Sequence, residues 1–466
     1  MKENNTPAVN SATGGEKKRG SFTGKLGFVL AAAGSAVGLG NIWRFPYLAA
    51  KYGGGIFLLV YLILAVTFGF SLMITEIAIG RKTGQSPIGA FTKLHKKASF
   101  IGIIAAVIPA LILPYYSVIG GWVMKWMVGF ATGGMNNMAN DGFFGAYIGR
   151  VWEPLLWFAL FIGITVVVVL FGVDKGVEKV SKVMMPALVV LILGVAIYSI
   201  CTLDGAWSGV VYYIKPDFSK FSMMTVVAAM GQLFYSMSLA MGIMITFGSY
   251  MKKDISIEKS VGNIEIFDTG IAFLAGLLIV PAVYAFSGGS EAALGQGPGL
   301  MFVTLPKVFQ SMPGGAVIGA AFFIMVFFAA LTSAISLMET VVSTIMDKFK
   351  LTRNLSCAIV IGLSLLLGAL SSLGYSAWSS FSILGMQILD FFDFITNNLL
   401  MPLVALATTI LVAYIIKPKT ISDEVELSGK FGRKKLFEIM TMYIAPVCIL
   451  VILVSSILGA FGVISI

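Results

Sequence analysis

GSAVGLGNIWRFPY, residues 34–47, decides the fold: Gly34, Gly38 and Gly40 with the polar Ser35 and Asn41 interrupt a run that is otherwise apolar over residues 27–50. Deep in a bilayer no water meets a bare N–H or C=O, so unwound backbone is tolerated there only where protein buries it or where it lines a wet cavity. A second such stretch, GQLFYSMS at residues 231–238, lies within the apolar run 222–250. The two sit five spans apart, one at the head of each half of a five-plus-five arrangement, and paired broken helices in matching positions point to a transporter's binding site. Small residues also let helices pack closely, and that reading competes for either stretch taken alone.

Working outward, 58% of the 466 residues are hydrophobic and 12% are charged, against roughly 45–50% and about 25% in soluble domains. Apolar runs able to span a bilayer, ~20 residues each, occur at 27–50, 56–80, 100–130, 154–173, 180–202, 222–250, 264–287, 315–347, 355–373, 384–416 and 436–464, about eleven in all. Basic residues cluster in alternate connections: 17–25, 81–97, 175–182, 252–259, 348–353 and 417–435, whereas 135–141 and 288–299 are poor in them. The positive-inside rule then predicts a multi-pass protein of the plasma (inner) membrane with a cytosolic N-terminus and, after an odd number of spans, Ile466 outside. The expected organisation is a retained cytosolic arm at 1–20, a ten-span core at 21–416, a cytosolic loop at 417–435 and an eleventh span at 436–466. The net charge of +10 belongs to those short loops, which argues for a lipid bilayer and against nucleic acid as partner. Cys201, Cys357 and Cys448 show neither metal-ligand spacing nor a disulfide framework. The single histidine, His95, lies in a basic loop, with no HExxH and no Ser/His or Cys/His pair in the apolar spans, so an enzyme is not expected.

Through residues 34–47, Gly53-Gly54-Gly55, TEIAIGR at 75–81, Tyr115-Tyr116, 231–250, 329–333 and 390–398, nearly the whole chain resembles the neurotransmitter:sodium symporter family and its bacterial amino acid transporters. The resemblance implies an all-α polytopic membrane protein with the LeuT-type 5+5 inverted repeat, discontinuous spans one and six, and one extra C-terminal span. Twelve spans are more familiar, but the departure lies outside the ten-span core. The implied activity is sodium-coupled symport of an amino acid by alternating access, with two sodium ions. Sodium is a hard cation that takes about five or six oxygens. One ion would use the carbonyls of Gly34, Val37 and Ala329 with the hydroxyls of Thr332 and Ser333, although within FFAALTS (327–333) those hydroxyls also suit bonds to their own helix. The other would use the Ala36 carbonyl, Asn41, Ser236, Asp268 and the carboxylate of the substrate, so that ion and substrate binding reinforce each other.

The family commonly has Asn where this chain has Asp268. Tyr61, Gln232 and Ser236 match chloride ligands of chloride-dependent members, but Ala272 stands where a further hydroxyl would be. Asp268 is therefore expected to serve as sodium ligand and as the fixed charge that replaces chloride; the alternative is an aspartate solvated at a helix end. By the same resemblance the substrate carboxylate would meet the N–H groups of Leu39 and Gly40 at the positive end of a half-helix, with the Tyr116 hydroxyl. The amine would face carbonyls of Ala36, Tyr235 and Ser236 and the Ser238 hydroxyl. Monoamine carriers place an aspartate at the position of Gly38, so an amino acid suits this chain better. Ile112, Met241, Ser333 and Leu337 would make a pocket for an apolar or aromatic side chain. Arg44 and Asp393 are the expected water-mediated outer gate with Tyr235 as lid; Arg19 and Asp347, beside Ser249 and Tyr250, are the inner one. Charges at span ends otherwise only reach for headgroups. An ion channel and a non-transporting amino acid receptor are the rival functions. Which amino acid is carried, the sodium count, proton counter-transport and the oligomeric state are not legible in the sequence.

Overall fold

The computed structural model describes residues 20–288 and 298–460, and its regular elements are all helical. Among these residues nine helices are long and apolar enough to cross a membrane: Gly55–Thr83, Lys96–Ala131, Trp152–Leu170, Val173–Thr202, Ile257–Phe286, Gly315–Phe349, Arg353–Leu373, Ile388–Ile415 and Lys434–Gly459. Lys25–Ala36 and Gly40–Lys51, bent by 55° at their junction, form a tenth as a pair. Where the sixth span is expected, Met223–Ser236 is followed, after a break, by the short helix Ile243–Ser249. The expected N-terminal arm, with Arg19, and Ile466 lie outside the described residues.

The first interruption falls where the glycines stand. The helix ends at Ala36, Val37 turns to extended backbone (φ −77°, ψ 100°), and helix resumes at Gly40. Two glycines are required by close approach. A Cβ on Gly40 would lie 2.3 Å from the Tyr235 ring, and one on Gly38 would lie 2.7 Å from Ser333 Oγ.

The second interruption differs from the expectation. Residues 231–236 are helical, and the chain unwinds only from Met237 to Gly242. The polarity of that stretch has another cause. Gln232 Nε2 and Ser236 Oγ donate to partners across the core without unwinding the helix that carries them. Within the break Ser238, Ala240 and Gly242 adopt φ of +53°, +61° and +73°. The carboxylate of Glu76, buried in the second span, accepts the Ala240 N–H at 2.6 Å and so satisfies part of the freed backbone.

The seventh span starts at Ile257, ahead of the expected residue 264, because Ser256 caps it and Ile257, Val261 and Ile264 bury one face of a turn that hydropathy alone reads as loop. The third and eighth spans pack along each other, the two broken spans lie against the second and seventh, and the last span is peripheral, with 17% of its apolar window buried. At one end of the bundle the basic connections come together: Lys252 Nζ donates to the Thr23 carbonyl at 3.2 Å and the Ser86 N–H to Asp347 at 2.9 Å. At the other, Leu300–Ser311 folds down so that Phe302 packs 5.0 Å from the Trp126 ring and 6.5 Å from that of Trp43.

Candidate functional site

Between the two breaks lies a small cavity. Of the residues expected around a substrate, Ala36, Leu39, Gly40, Ile112, Tyr116, Tyr235, Ser238, Met241, Ser333 and Leu337 line it. Ser236 stands outside that lining and hydrogen-bonds Asp268 instead. Ser35, Gly38, Asn41 and Ile243 also line the cavity. Ile243 went unassigned because its place depends on where the second break ends; Ser35 was legible only as part of a broken helix.

The cavity has a polar end and an apolar end. At the polar end Tyr116 accepts the Leu39 N–H at 3.3 Å. Ser238 Oγ donates to the Ser35 carbonyl at 3.0 Å and Ser35 Oγ donates to Ser238 Oγ at 3.2 Å. The Ser238 hydroxyl, expected to take an amine, thus staples one break to the other while still facing the cavity. Ile112, Met241, Ile243 and Leu337 supply the apolar end.

Behind the polar end sits a closed set of oxygens. Asp268 is fully buried in the middle of Ile257–Phe286, which excludes the alternative of a solvated helix end. Its carboxylate accepts from Ser236 Oγ at 2.7 Å, Asn41 Nδ2 at 2.8 Å and the Tyr61 hydroxyl at 3.3 Å. Gln232 does not join them: its Nε2 donates to the Gly40 carbonyl at 3.0 Å, and its buried Oε1 has no hydrogen-bond partner. Asn41 also accepts the Gly38 N–H at 3.1 Å through Oδ1. A cation beside Asp268 fits the chemistry of these donors provided the Asn41 amide turns, so that oxygen replaces nitrogen.

A second set lies between the first and eighth spans. Ser333 Oγ donates toward the carbonyls of Ser35 at 3.1 Å, Val37 at 3.3 Å and Gly34 at 3.4 Å. Thr332 Oγ1 bonds back to Phe328 at 3.0 Å and to Ala329 at 3.2 Å. The two readings of these hydroxyls therefore divide: Thr332 bonds within its helix and Ser333 reaches across to the break. Ser333 Oγ is thus the hydroxyl that meets the carbonyls of the first break, while Thr332 Oγ1 stays at the Ala329 carbonyl of its own helix.

On the side of the cavity away from the basic connections the Arg44 guanidinium lies 5.5 Å from the Tyr235 ring centroid. Asp393 is held by Asn397 at 2.7 Å and Tyr115 at 3.1 Å, with the Arg44 charge acting on it through space. Among the described ion pairs none within 4.0 Å joins Arg44 to Asp393. A second cavity is lined by Arg44, Tyr235 and Asn397 among others, and Tyr235 is the residue it shares with the first. On the basic side Asp347 takes the Ser86 N–H, while Arg19 is outside the described residues. Tyr250 donates its hydroxyl to Glu339 at 2.8 Å, and Ser249 donates to Thr246. Glu339, fully buried, pairs with Arg353, a contact the sequence analysis missed although a lone acid in mid-span signals one.

With this geometry in place, the likeness to known proteins is informative. The profile of the sodium:neurotransmitter symporter family matches residues 19–136 and 147–461. The chain is 33% identical over 450 residues to an uncharacterised sodium-dependent transporter, YhdH, of Bacillus subtilis, covering 95% of this chain and 98% of that one. It is 29% identical over 380 residues to the sodium- and chloride-dependent GABA transporter ine of Drosophila melanogaster, covering 70% of this chain and 39% of that one. A crystal structure of MhsT in complex with L-phenylalanine superposes with a TM-score of 0.85 at 36% identity, covering 94% of this chain and 100% of the other.

Proposed function

The chain belongs to the sodium:neurotransmitter symporter family, and on that premise we propose that it carries an amino acid with an apolar or aromatic side chain into the cell by alternating access, coupled to two sodium ions and independent of chloride. Membership makes it a sodium-dependent membrane transporter with the all-helical fold of MhsT. The finer reading is carried by one observation: the buried Asp268 carboxylate, ringed by Asn41, Ser236 and Tyr61, stands behind a small cavity that two broken helices enclose.

The substrate carboxylate lies toward the Leu39 and Gly40 N–H groups, where the half-helix Gly40–Lys51 begins and its dipole is positive, and the Tyr116 hydroxyl that now accepts from Leu39 turns to donate. The ammonium group faces the carbonyls the breaks leave free. One sodium ion sits between Asp268, Ser236, Asn41, the Ala36 carbonyl and the substrate carboxylate, and the other in the cage of Gly34, Val37, Ala329, Thr332 and Ser333. Each ion neutralises charge or dipoles that the empty site leaves opposed, so substrate and sodium stabilise the same closed arrangement. Because Asp268 is a covalently fixed anion, no chloride is needed to balance the ions. A non-carboxylate amine finds no counter-charge, since Gly38 has no side chain and Ser333 and Tyr116 fill the space where one would stand. The inverted 5+5 repeat, the basic end facing the cytosol and the C-terminus outside complete the reading.

Uptake of a panel of labelled amino acids into proteoliposomes, with an inward sodium gradient or with choline in its place, tests this. Saturable uptake of apolar and aromatic amino acids in sodium alone is expected, unchanged when gluconate replaces chloride. Equal uptake in choline overturns the symport reading, and a large loss in gluconate overturns the role given to Asp268.

A further inference from the structure

The connection between the last two spans does more than join them. Antiparallel helices are usually linked by about 2–8 residues, yet here a whole helix, Lys419–Glu426, intervenes and folds across the basic end of the bundle. It is pinned at two places. At the first, Arg81, at the end of the second span, is fully buried and bonds Glu424 Oε1 at 2.9 Å, the Ile255 carbonyl at 2.7 Å, Ser428 Oγ at 3.2 Å and the Glu424 carbonyl. Lys253 reaches the same carboxylate at 2.8 Å, and Ile421 and Val425 are buried beside it. At the second, Glu258 accepts the N–H groups of Gly432 at 2.8 Å and Arg433 at 2.9 Å, while the Arg433 guanidinium lies 3.3 Å from the Phe70 ring centroid and 3.3 Å from Glu265.

These anchors join the strap to the second span, which carries Glu76; to residues 252–255, which follow the broken sixth span; and to the seventh span, where Glu265 is three residues before Asp268. At its own start the strap continues the span that carries Asp393 at the opposite end. An ion pair this deeply buried contributes position rather than net stability, because its desolvation cost roughly offsets its attraction.

We propose that residues 417–435 are a coupling strap: they hold the second, sixth and seventh spans together at the basic end and tie that group to the span bearing the outer-gate acid, so that the inner side opens only with closure of the outer. The proposal rests on the alternating-access reading above. Without the strap the inner ends separate in the presence of sodium, and the wall of the cavity at the basic end that is now buried, at Tyr250 and Ser343, is reached from solution.

The test uses the full chain with its three cysteines replaced, a Ser343→Cys reporter in the buried wall of that cavity, and maleimide labelling with sodium or choline. Sodium protects the reporter in the parent. Glu424→Gln raises labelling in sodium by about tenfold, the size of a modest two-state shift, while equilibrium binding of the labelled amino acid changes less than about threefold, a small fraction of its affinity. Labelling within about twofold of the parent, an insignificant shift, in a monodisperse Glu424→Gln protein overturns the strap. Should that variant fail to fold, Lys253→Gln and Glu258→Gln leave the buried pair intact and are expected to raise labelling in the same direction; no change in both also overturns it. A parent that shows neither uptake nor sodium protection refutes the symport reading itself, whereas sodium protection that no strap variant disturbs refutes the strap alone.

Discussion

At the scale of single residues, Asp268 and Gly40 carry the sharpest expectations. Asp268→Asn keeps the shape and hydrogen-bond reach of the side chain but removes the charge that faces Asn41, Ser236 and Tyr61. Half-saturation for sodium should rise by about tenfold or more, given what losing one partner of a buried ion pair costs, and uptake should become stimulated by chloride; sodium titrations in chloride and in gluconate measure both. Gly40→Ala puts a methyl group 2.3 Å from the Tyr235 ring. Uptake should fall by roughly a hundredfold, the scale of a misplacement of about 1 Å at a site, whereas Gly231→Ala, with nothing within 4 Å of the new carbon, should leave it near the parent value. Initial rates for the pair separate a steric block from a general intolerance of alanine. Asp268 could be singled out from sequence because a carboxylate in an apolar run needs a partner. Its partners Asn41, Tyr61 and Ser236 come from three other segments, so only the family resemblance brought them together with Asp268 beforehand, and the failure of Gln232 to join them is a matter of side-chain reach.

At the scale of elements, the breaks were legible in kind and less so in place. Glycine and polar residues in a span announce backbone that leaves the helix, and at residues 34–41 they mark the spot. At 231–238 the same signal is displaced, because Gln232 and Ser236 are polar for tertiary reasons while the chain leaves the helix one turn later, through Ser238 and Ala240 in left-handed backbone. An alanine in that region is strained by roughly 1 kcal/mol relative to glycine. Ala240→Gly should therefore raise the melting temperature of the solubilised protein slightly, by a few degrees at most. Glu76→Leu, which takes away the buried acceptor of the Ala240 N–H, should lower it by a comparable or larger amount, and a fluorescence melt of the two variants against the parent reads both signs. The span ends also shifted. Hydropathy sees the apolar core of a helix, while Ser256 and the buried face of its first turn extend the seventh span beyond it.

At the scale of the whole molecule, apolar runs and basic connections were enough to place the chain in a membrane and to order its spans, since both follow from the solvent alone. How the connections fold back was not legible: Glu424 meeting Arg81 and Phe302 meeting Trp126 are long-range encounters with no local sequence signal. Phe302→Ala should destabilise the protein by about 3–5 kcal/mol, as for other large buried aromatics, and the loss should appear as faster proteolysis of the segment Leu300–Ser311. The two sides of the cavity are closed by different means. At one end the cavity adjoins the second cavity across Tyr235; at the basic end lie the Glu339–Arg353 pair and the Arg81–Glu424 pair. A ring turns on a timescale of nanoseconds to microseconds, while packed helices rearrange in about microseconds to milliseconds. A captured molecule thus has many chances to escape to the side it came from before it is committed, so recognition operates as a pre-equilibrium, repeatedly sampled, and the Michaelis constant for uptake should approach the dissociation constant measured at rest.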